Sequence, residues 1–296
     1  MIDFHKPSIE DRNWAEPILR KSGGVGSEYA FGTHFTWQNT YHAEIAEYRG
    51  FLVGRSCGAY MYPIGCGDRK EIIEVLMQDA KEKGYQFWMY SVPKEHLEQL
   101  EKQFPGVFTF REDRENADYV YRQSDLANLP GKKYHSKRNH VSKFRRLYGE
   151  PVYEELSRVN LAECMEIAQL WYSRNETVSE EKEDGDELDA LRRGFDQWEA
   201  LHFRGGLIRV NGKAVAFSIG EAINESVFVI HFEKALTEYE GIYAVINQEF
   251  ARNSLGDYEW IDREEDMGIE GLRKAKNSYH PAYLAEVFDA VMKEER

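Results

Sequence analysis

The run Phe228-Val-Ile-His-Phe-Glu-Lys-Ala235, followed shortly by Glu240-Gly-Ile-Tyr-Ala-Val-Ile-Asn-Gln-Glu-Phe250, decides how this chain folds. Its first part is apolar and aromatic and ends in polar groups, which reads as a buried strand with chemistry at its carboxyl end. A Gly-containing turn follows. Apolar residues at helical spacing then predict a helix from 242 to about 252. Such a unit can hold a phosphate or a polarised carbonyl, because the first N–H groups of a helix lack intrahelical partners.

Outward from this unit, Gly206-Leu-Ile-Arg-Val210 turns at Asn211-Gly212 and returns as Ala214-Val-Ala-Phe-Ser218. Asn-Gly between two apolar runs is the strongest short hairpin signal. Tyr258-Glu-Trp-Ile261 reads as the next strand. The first half repeats the order. A hairpin joins 43–50 to 51–55, a strand covers 59–64, and a Gly loop spans 65–68. A helix from 70 to 81 carries Ile72, Ile73, Leu76, Met77 and Ala80, and a strand runs over 86–90. The residues of the halves match poorly, so what they share is architecture.

Between the halves, residues 131–149 hold seven Lys/Arg and no acid. Val141, Phe144, Leu147 and Tyr148 fall on one helical face, with Ser136 as N-cap and Gly149 as the stop. The chain has 296 residues and a net charge of −14, with a pI near 5.2. In such an acidic molecule this helix is where an anion docks, the alternative being a solvated basic face. Residues 176–189 carry eight acids and one Lys and read as a solvated loop.

Composition excludes several classes. Three cysteines, Cys57, Cys66 and Cys164, at no metal-ligand spacing argue against a disulfide framework and against a metal site. No apolar run approaches the ~20 residues of a membrane span, and the first residues lack a signal-peptide core, so the expected location is cytoplasmic. Walker, HExxH and EF-hand patterns are missing.

The second half resembles the tandem GNAT-type acyltransferases, and within them bacterial proteins related to the catalytic domain of phosphatidylglycerol lysyltransferases and to Fem-type aminoacyl transferases. The residues that carry the likeness are His231-Phe-Glu-Lys-Ala235, Gly241-Ile-Tyr-x-x-Ile-Asn247, Asp262-Arg-Glu-Glu-Asp266 and Gly271-Leu-Arg-Lys-Ala-Lys-x-Ser-Tyr-x-Pro281. The basic helix, through Lys137, Arg138, Val141 and Arg145, matches the joining helix of such proteins. The likeness is good from about 131 onward and weak before it.

This resemblance implies an α/β (α+β) chain of two tandem GNAT-like domains, each a mixed central sheet with helices on both faces. The implied organisation is residues 1–130, a linking helix at 131–149 and residues 150–296. Two central strands splay apart and an acyl donor lies in the gap. The implied donor is coenzyme A or acyl-CoA, with aminoacyl-tRNA as the alternative. The donor is expected against Ala235, Leu236, Gly241, Ile242, Tyr243, Ala244 and Asn247, with Arg273, Lys276, Lys137 and Arg138 on its phosphates. A tRNA would meet the basic helix at 132–146. The GNAT loop usually carries Gln or Arg ahead of its glycines and a small residue after them. Here Glu238 and Tyr243 stand at those places, and Glu238 and Glu240 oppose a pyrophosphate.

For the chemistry, a partly desolvated carboxylate at the strand end is a suitable base, and Glu233 is the first choice. Alternation puts His231 on the same face. Tyr279, after a basic run, is the candidate for protonating a leaving thiolate, a role the resemblance to GNAT proteins implies for a Tyr. Glu264, Glu265 and Asp266, next to Arg263, form a second carboxylate set suited to orient a cationic aminoacyl group or an amine acceptor. Each has a plain alternative: Glu233 in an ion pair with Lys234, Arg263 or Arg273, Glu264 to Asp266 as a helix cap, Tyr279 as packing. A non-catalytic GNAT-fold module that binds a nucleotide, tRNA or anionic lipid is the competing function.

Overall fold

A computed structural model describes residues 2–174 and 184–293. Residues 176–183 of the acidic run therefore lie outside the described residues, and 184–189, expected as loop, begin the helix Asp184–Asp196 instead. In chain order the first elements are α1 (Arg12–Ser22), α2 (Phe31–Thr36), β1 (Glu44–Tyr48), β2 (Phe51–Ser56), β3 (Ala59–Met61), β4 (Ile64–Gly65), α3 (Lys70–Lys83), β5 (Trp88–Pro93), α4 (Leu97–Gln103) and β6 (Phe108–Glu112). Next come β7 (Asp118–Arg122), α5 (Gln123–Asn128), α6 (His135–Tyr148), β8 (Val152–Glu155), α7 (Leu161–Arg174) and α8 (Asp184–Asp196). The last are β9 (Arg204–Val210), β10 (Lys213–Ala222), β11 (Val227–Ala235), α9 (Ile242–Ser254), β12 (Trp260–Asp262), α10 (Glu270–Asn277), β13 (Tyr283–Ala285) and β14 (Val287–Met292).

These elements build two mixed seven-stranded sheets. One has the order β1-β2-β3-β5-β14-β6, with β4 beside β2, and the other the order β13-β7-β12-β11-β10-β9-β8. Two compact units result: Met1–Tyr119 with Glu264–Arg273 and Leu284–Arg296, and Val120–Arg263 with Lys274–Tyr283. Both are GNAT-like. The first sheet thus takes its β14 from the end of the chain, between β5 and β6.

In the first unit β1 and β2 form a hairpin, β3 and β5 pair in parallel, and α3 connects them. The apolar face of α3, Ile72, Ile73, Leu76 and Ala80, is buried in a core with Tyr60, Phe87, Met89 and Leu100. Burying such side chains contributes roughly 1.5–3 kcal/mol each, which outweighs the weak propensity of any one strand.

In the second unit the β9–β10 turn has Asn211 at φ 49° and Gly212 at φ 80°, the two left-handed residues of a two-residue hairpin. Strand β10 pairs antiparallel with β11. Here the register slips. Ile219 faces Phe232 but Gly220 faces Ile230, so His231 is an extra residue on β11. Such a bulge reverses the alternation of faces. Cross-strand partners share a face, so Glu233 lies with its partner Ser218. His231 bonds Glu221, which alternation along β10 puts on the opposite face. The expected common face of His231 and Glu233 therefore fails, and the bulge is the reason.

Close backbone approach at the slip explains Gly220. A Cβ there would stand 1.8 Å from the Val229 carbonyl oxygen and 2.7 Å from the Phe228 ring. Gly220→Ala should lower stability by about 3 kcal/mol or more, as an overpacked core does. Gly256→Ala, where a Cβ meets nothing within 4 Å, should change it by no more than about 0.5 kcal/mol. Denaturant unfolding of the two variants checks the pair.

Candidate active site

The site of the second unit starts from a difference in strand length. Strand β11 pairs in parallel with β12 at Val227↔Trp260, Phe228↔Ile261 and Val229↔Asp262. The ladder stops there while β11 continues to Ala235. The carboxyl half of β11 is thus left without its neighbour on that side. Arg263, the first residue after β12, reaches across this opening. Its Nη2 donates to Oε1 of Glu233 at 2.9 Å. Both side chains are nearly buried, at 13% and 10% exposure. Yet Oε2 of Glu233 and Nη1 of Arg263 are buried with no hydrogen-bond partner.

Around the pair lie aromatic and cationic groups. The guanidinium carbon of Arg263 is 4.9 Å from the centroid of the Tyr279 ring and 5.8 Å from that of Tyr121. The Nζ of Lys137 is 3.8 Å from the same Tyr279 centroid. Burial, then repulsion by Arg263, lowers the Lys137 ammonium to about 8 against the pull of Glu233. Burial pushes the Tyr279 phenol well above its ordinary value. Lys276 is also buried, and its Nζ donates to the Arg263 carbonyl at 2.5 Å, which fixes where the Arg263 backbone leaves β12.

The expected donor cradle is different from its sequence pattern. Gly241 sits at φ 88°, and a Cβ on it would come within 2.5 Å of the His140 carbonyl oxygen. This glycine therefore lets α9 approach the α6 backbone. The N–H groups of Ile242, Ala244 and Val245 already bond to the Tyr239 and Gly241 carbonyls at 3.0, 3.0 and 3.2 Å. The Glu240 N–H donates to the Tyr148 hydroxyl at 3.2 Å. Glu238 pairs with Arg174 at 2.5 Å, and Glu240 pairs with Lys143. Ala235, Leu236, Ile242 and Ala244 are buried in the core. The Tyr243 hydroxyl accepts from the Trp171 indole and the Ala235 N–H.

The predicted cations divide. Helix α6 begins at His135 with Tyr134 as its cap residue, in place of Ser136. Arg138 spends its guanidinium on the carbonyls of Leu129 and Gly131, at 2.5 and 2.7 Å. Arg145 pairs with Glu150 at 3.0 Å and Glu249 at 3.4 Å. Leu147 is half exposed, while Val141 and Phe144 are buried. Of the predicted donor cations on α6, Lys137 is the one turned toward the pair. Lys132 and Arg146 are exposed and have no ion pair among the described residues.

In the first unit Asp266 is fully buried and receives Arg273 Nε and Nη2 at 2.8 Å, Tyr119 Oη at 2.6 Å, Arg114 Nη1 at 3.1 Å and the Gly268 N–H at 3.0 Å. Burial raises its carboxyl, but these donors outweigh it and hold the group well below the usual carboxylate range. Arg273 is thereby committed to Asp266 instead of a phosphate. His231, in the second unit, is likewise a buried partner, 3.1 Å from Glu221 and tilted against the Phe203 ring.

Sequence reasoning missed Ser218 and Arg263 as site residues. Ser218 is hidden in a strand run, and only strand pairing shows that it faces Glu233. Arg263 was available as a possible ion partner, but its reach across the opening depends on where β12 ends. No group of His, Cys, Asp and Glu able to hold a metal occurs among the described residues, and no described helix is long and apolar enough to cross a membrane.

Removing one partner of the central pair should expose its cost. Arg263→Met is expected to lower stability by about 3–5 kcal/mol by leaving a buried carboxylate unpaired. Adding Glu233→Gln should recover much of that loss. Denaturant unfolding of both singles and the double measures the coupling, and additive losses would refute a direct pair.

A family model described as "Phosphatidylglycerol lysyltransferase, C-terminal" matches residues 20–291. No curated protein sequence matches the chain. Among solved structures, a protein of unknown function from Bacteroides thetaiotaomicron VPI-5482 is 38% identical over 99% of this chain and 100% of its own, with a TM-score of 0.94. L-PGS from Bacillus licheniformis is 16% identical, covers 100% of this chain and 95% of its own, and has a TM-score of 0.70. FemX is 10% identical over 98% of each chain, with a TM-score of 0.57. The last two share the fold. With the greater part of its length matched, the chain belongs to the phosphatidylglycerol lysyltransferase C-terminal family.

Proposed function

We propose that this chain is an aminoacyltransferase that moves an aminoacyl group from a charged tRNA to an amine or hydroxyl acceptor by direct attack, at the Glu233–Arg263 opening. The observation that carries this reading is the half-satisfied buried pair. A carboxylate oxygen and a guanidinium N–H without partners, side by side where two strands diverge, await a ligand with both a proton to give and an oxygen to hold. Family membership supports acyl-type transfer in general.

The step balances as follows. The acceptor oxygen or nitrogen attacks the ester carbonyl and gives its proton to Oε2 of Glu233. The free N–H of Arg263 stabilises the oxyanion. The bond to the ribose oxygen breaks, and that oxygen takes a proton from Lys137. With its ammonium near 8, Lys137 is matched to proton donation at neutral pH. Tyr279, whose phenol is a much weaker acid, seats the two cations on its ring face. Solvent returns the proton from Glu233 to Lys137.

A charged tRNA is favoured over acyl-CoA by the helix end. The N–H groups of Ile242, Ala244 and Val245 at the start of α9 are spent, and two carboxylates stand in the preceding loop. The exposed cations on and just before α6, Arg146 and Lys132 among them, offer an anionic carrier a docking surface. Free Cys57, Cys66 and Cys164 suit a reducing cytoplasm.

The test is single-turnover transfer from labelled aminoacyl-tRNA, with acetyl-CoA in parallel. Glu233→Gln should slow transfer by about 100-fold or more while tRNA retention on filters is kept. The wild-type rate should fall as pH rises through about 8, where Lys137 loses its proton, and Lys137→Met should remove that alkaline limb. Transfer from acetyl-CoA alone, or an unchanged rate in Glu233→Gln, overturns the proposal.

A further inference from the structure

The first unit holds a cavity of about 550 Å³ that the transfer at Glu233 does not use. It lies where the Cys57-Gly58 turn between β2 and β3 meets the Gly84-Tyr85 turn between α3 and β5. That is the amino end of the parallel pair β3 and β5. Its volume falls in the range of small-molecule sites, ~300–1,000 Å³.

The walls carry an ordered charge network. Glu44 and Arg55 are cross-strand partners on β1 and β2, and both line the cavity. Arg55 Nε donates to Glu44 Oε2. Behind them the buried Asp79 takes the Lys83 ammonium, the Tyr60 hydroxyl at 2.7 Å and, at 3.6 Å, Arg55 Nη1. The Phe4 ring, 4.5 Å from the guanidinium carbon, braces Arg55. Two cations thus stand against two carboxylates, and the balance offers no field to draw in a polyanion. Capacity for hydrogen bonding remains, because Glu44 Oε1 and Arg55 Nη2 bond to no described residue. Tyr85 adds an aromatic face. It is 51% exposed, and its ring lies over Gly58, 3.8 Å from where a Cβ would stand. In the second unit the tyrosine of the α9–β12 turn, Tyr258, is packed instead, 5.2 Å from the Phe228 ring.

An ion pair met at its edge presents a donor and an acceptor side by side. Its uncharged complement is a ring lactam, with a carbonyl that accepts beside an N–H that donates. Guanine carries this edge and adds a 2-amino N–H for the same carboxylate. We propose that the cavity is a binding site for a guanine nucleoside. Arg55 Nη2 donates to the base O6, Glu44 Oε1 accepts from N1–H and the 2-amino group, and the base lies on the Tyr85 ring. Adenine presents the opposite order, an amino group toward the guanidinium and a bare ring nitrogen toward the carboxylate. A site built on hydrogen bonds rejects such a mismatch strongly. The site belongs to the first unit alone, so it stands or falls independently of the transfer proposed for the second.

Equilibrium dialysis of the full chain against labelled guanosine, inosine and adenosine tests this. Guanosine is expected to bind about 10-fold or more tightly than adenosine, with inosine between them because it keeps the lactam and lacks the 2-amino group. Glu44→Gln should weaken guanosine by about 10-fold, and Tyr85→Ala by about 5-fold or more. Glu44 is 37% exposed and Tyr85 51%, so each variant should unfold within about 2 °C of the parent. Should Glu44→Gln fail to fold, Tyr85→Ala carries the test by itself. Equal binding of guanosine and adenosine, binding of neither, or guanosine binding that both variants retain overturns the proposal.

Discussion

The second unit depends on the ion pair that spans the point where β11 and β12 part. Two parallel strands that stop pairing leave an opening in a sheet, and an opening in a core costs free energy unless its walls are held. Glu233 and Arg263 hold them with one hydrogen bond at 2.9 Å. Isolating either charge from water is expensive, and their attraction repays it only when the remaining donors and acceptors are also met. Here they are not met by protein. The interaction that closes the sheet is therefore also the one that leaves unbonded polar atoms facing inward.

Two close backbone approaches make that arrangement possible. At Gly220 the bulge moves His231 to one face with Glu221 and leaves Glu233 on the other with Ser218. At Gly241 the helix after the strand is pressed onto the carbonyl of His140, so α6 and α9 pack backbone to backbone. The second contact brings Lys137, on the same helix as His140, to the Tyr279 ring. A basic helix that reads as an anion site thus places one half-buried ammonium beside the Glu233–Arg263 pair and turns most of its other cations to local carbonyls and carboxylates.

Much of this was legible and some was not, for physical reasons. Helix α9 is clear from its spacing of apolar residues, and the Asn211-Gly212 hairpin from the need for two left-handed residues. Glu233 stands out because a carboxylate at the end of an apolar strand demands a partner. The side of the sheet on which His231 falls is not legible, because one inserted residue in the pairing reverses every face after it and leaves no mark in composition. The same is true of β14, which lies between β5 and β6 although it follows them by nearly two hundred positions. Arg273 reads as a phosphate ligand from its basic neighbours, yet its geometry is set by Asp266, whose burial only the fold reveals.

A buried charge pair can serve stability or chemistry, and the distribution of its hydrogen bonds separates the two. Asp266 accepts five donors and has its capacity filled, as befits a carboxylate that fastens segments of the first unit together. Glu233 accepts one from Arg263 and keeps an oxygen unbonded at 10% exposure. A purely structural role would favour the first arrangement at both places, since each missing bond to a buried charged group forfeits about 1.5–3 kcal/mol. The same chain contains both solutions, so the incomplete one at Glu233 is not a limit of what this fold can build. Under the proposed transfer, a substrate supplies the bonds that these last polar atoms lack.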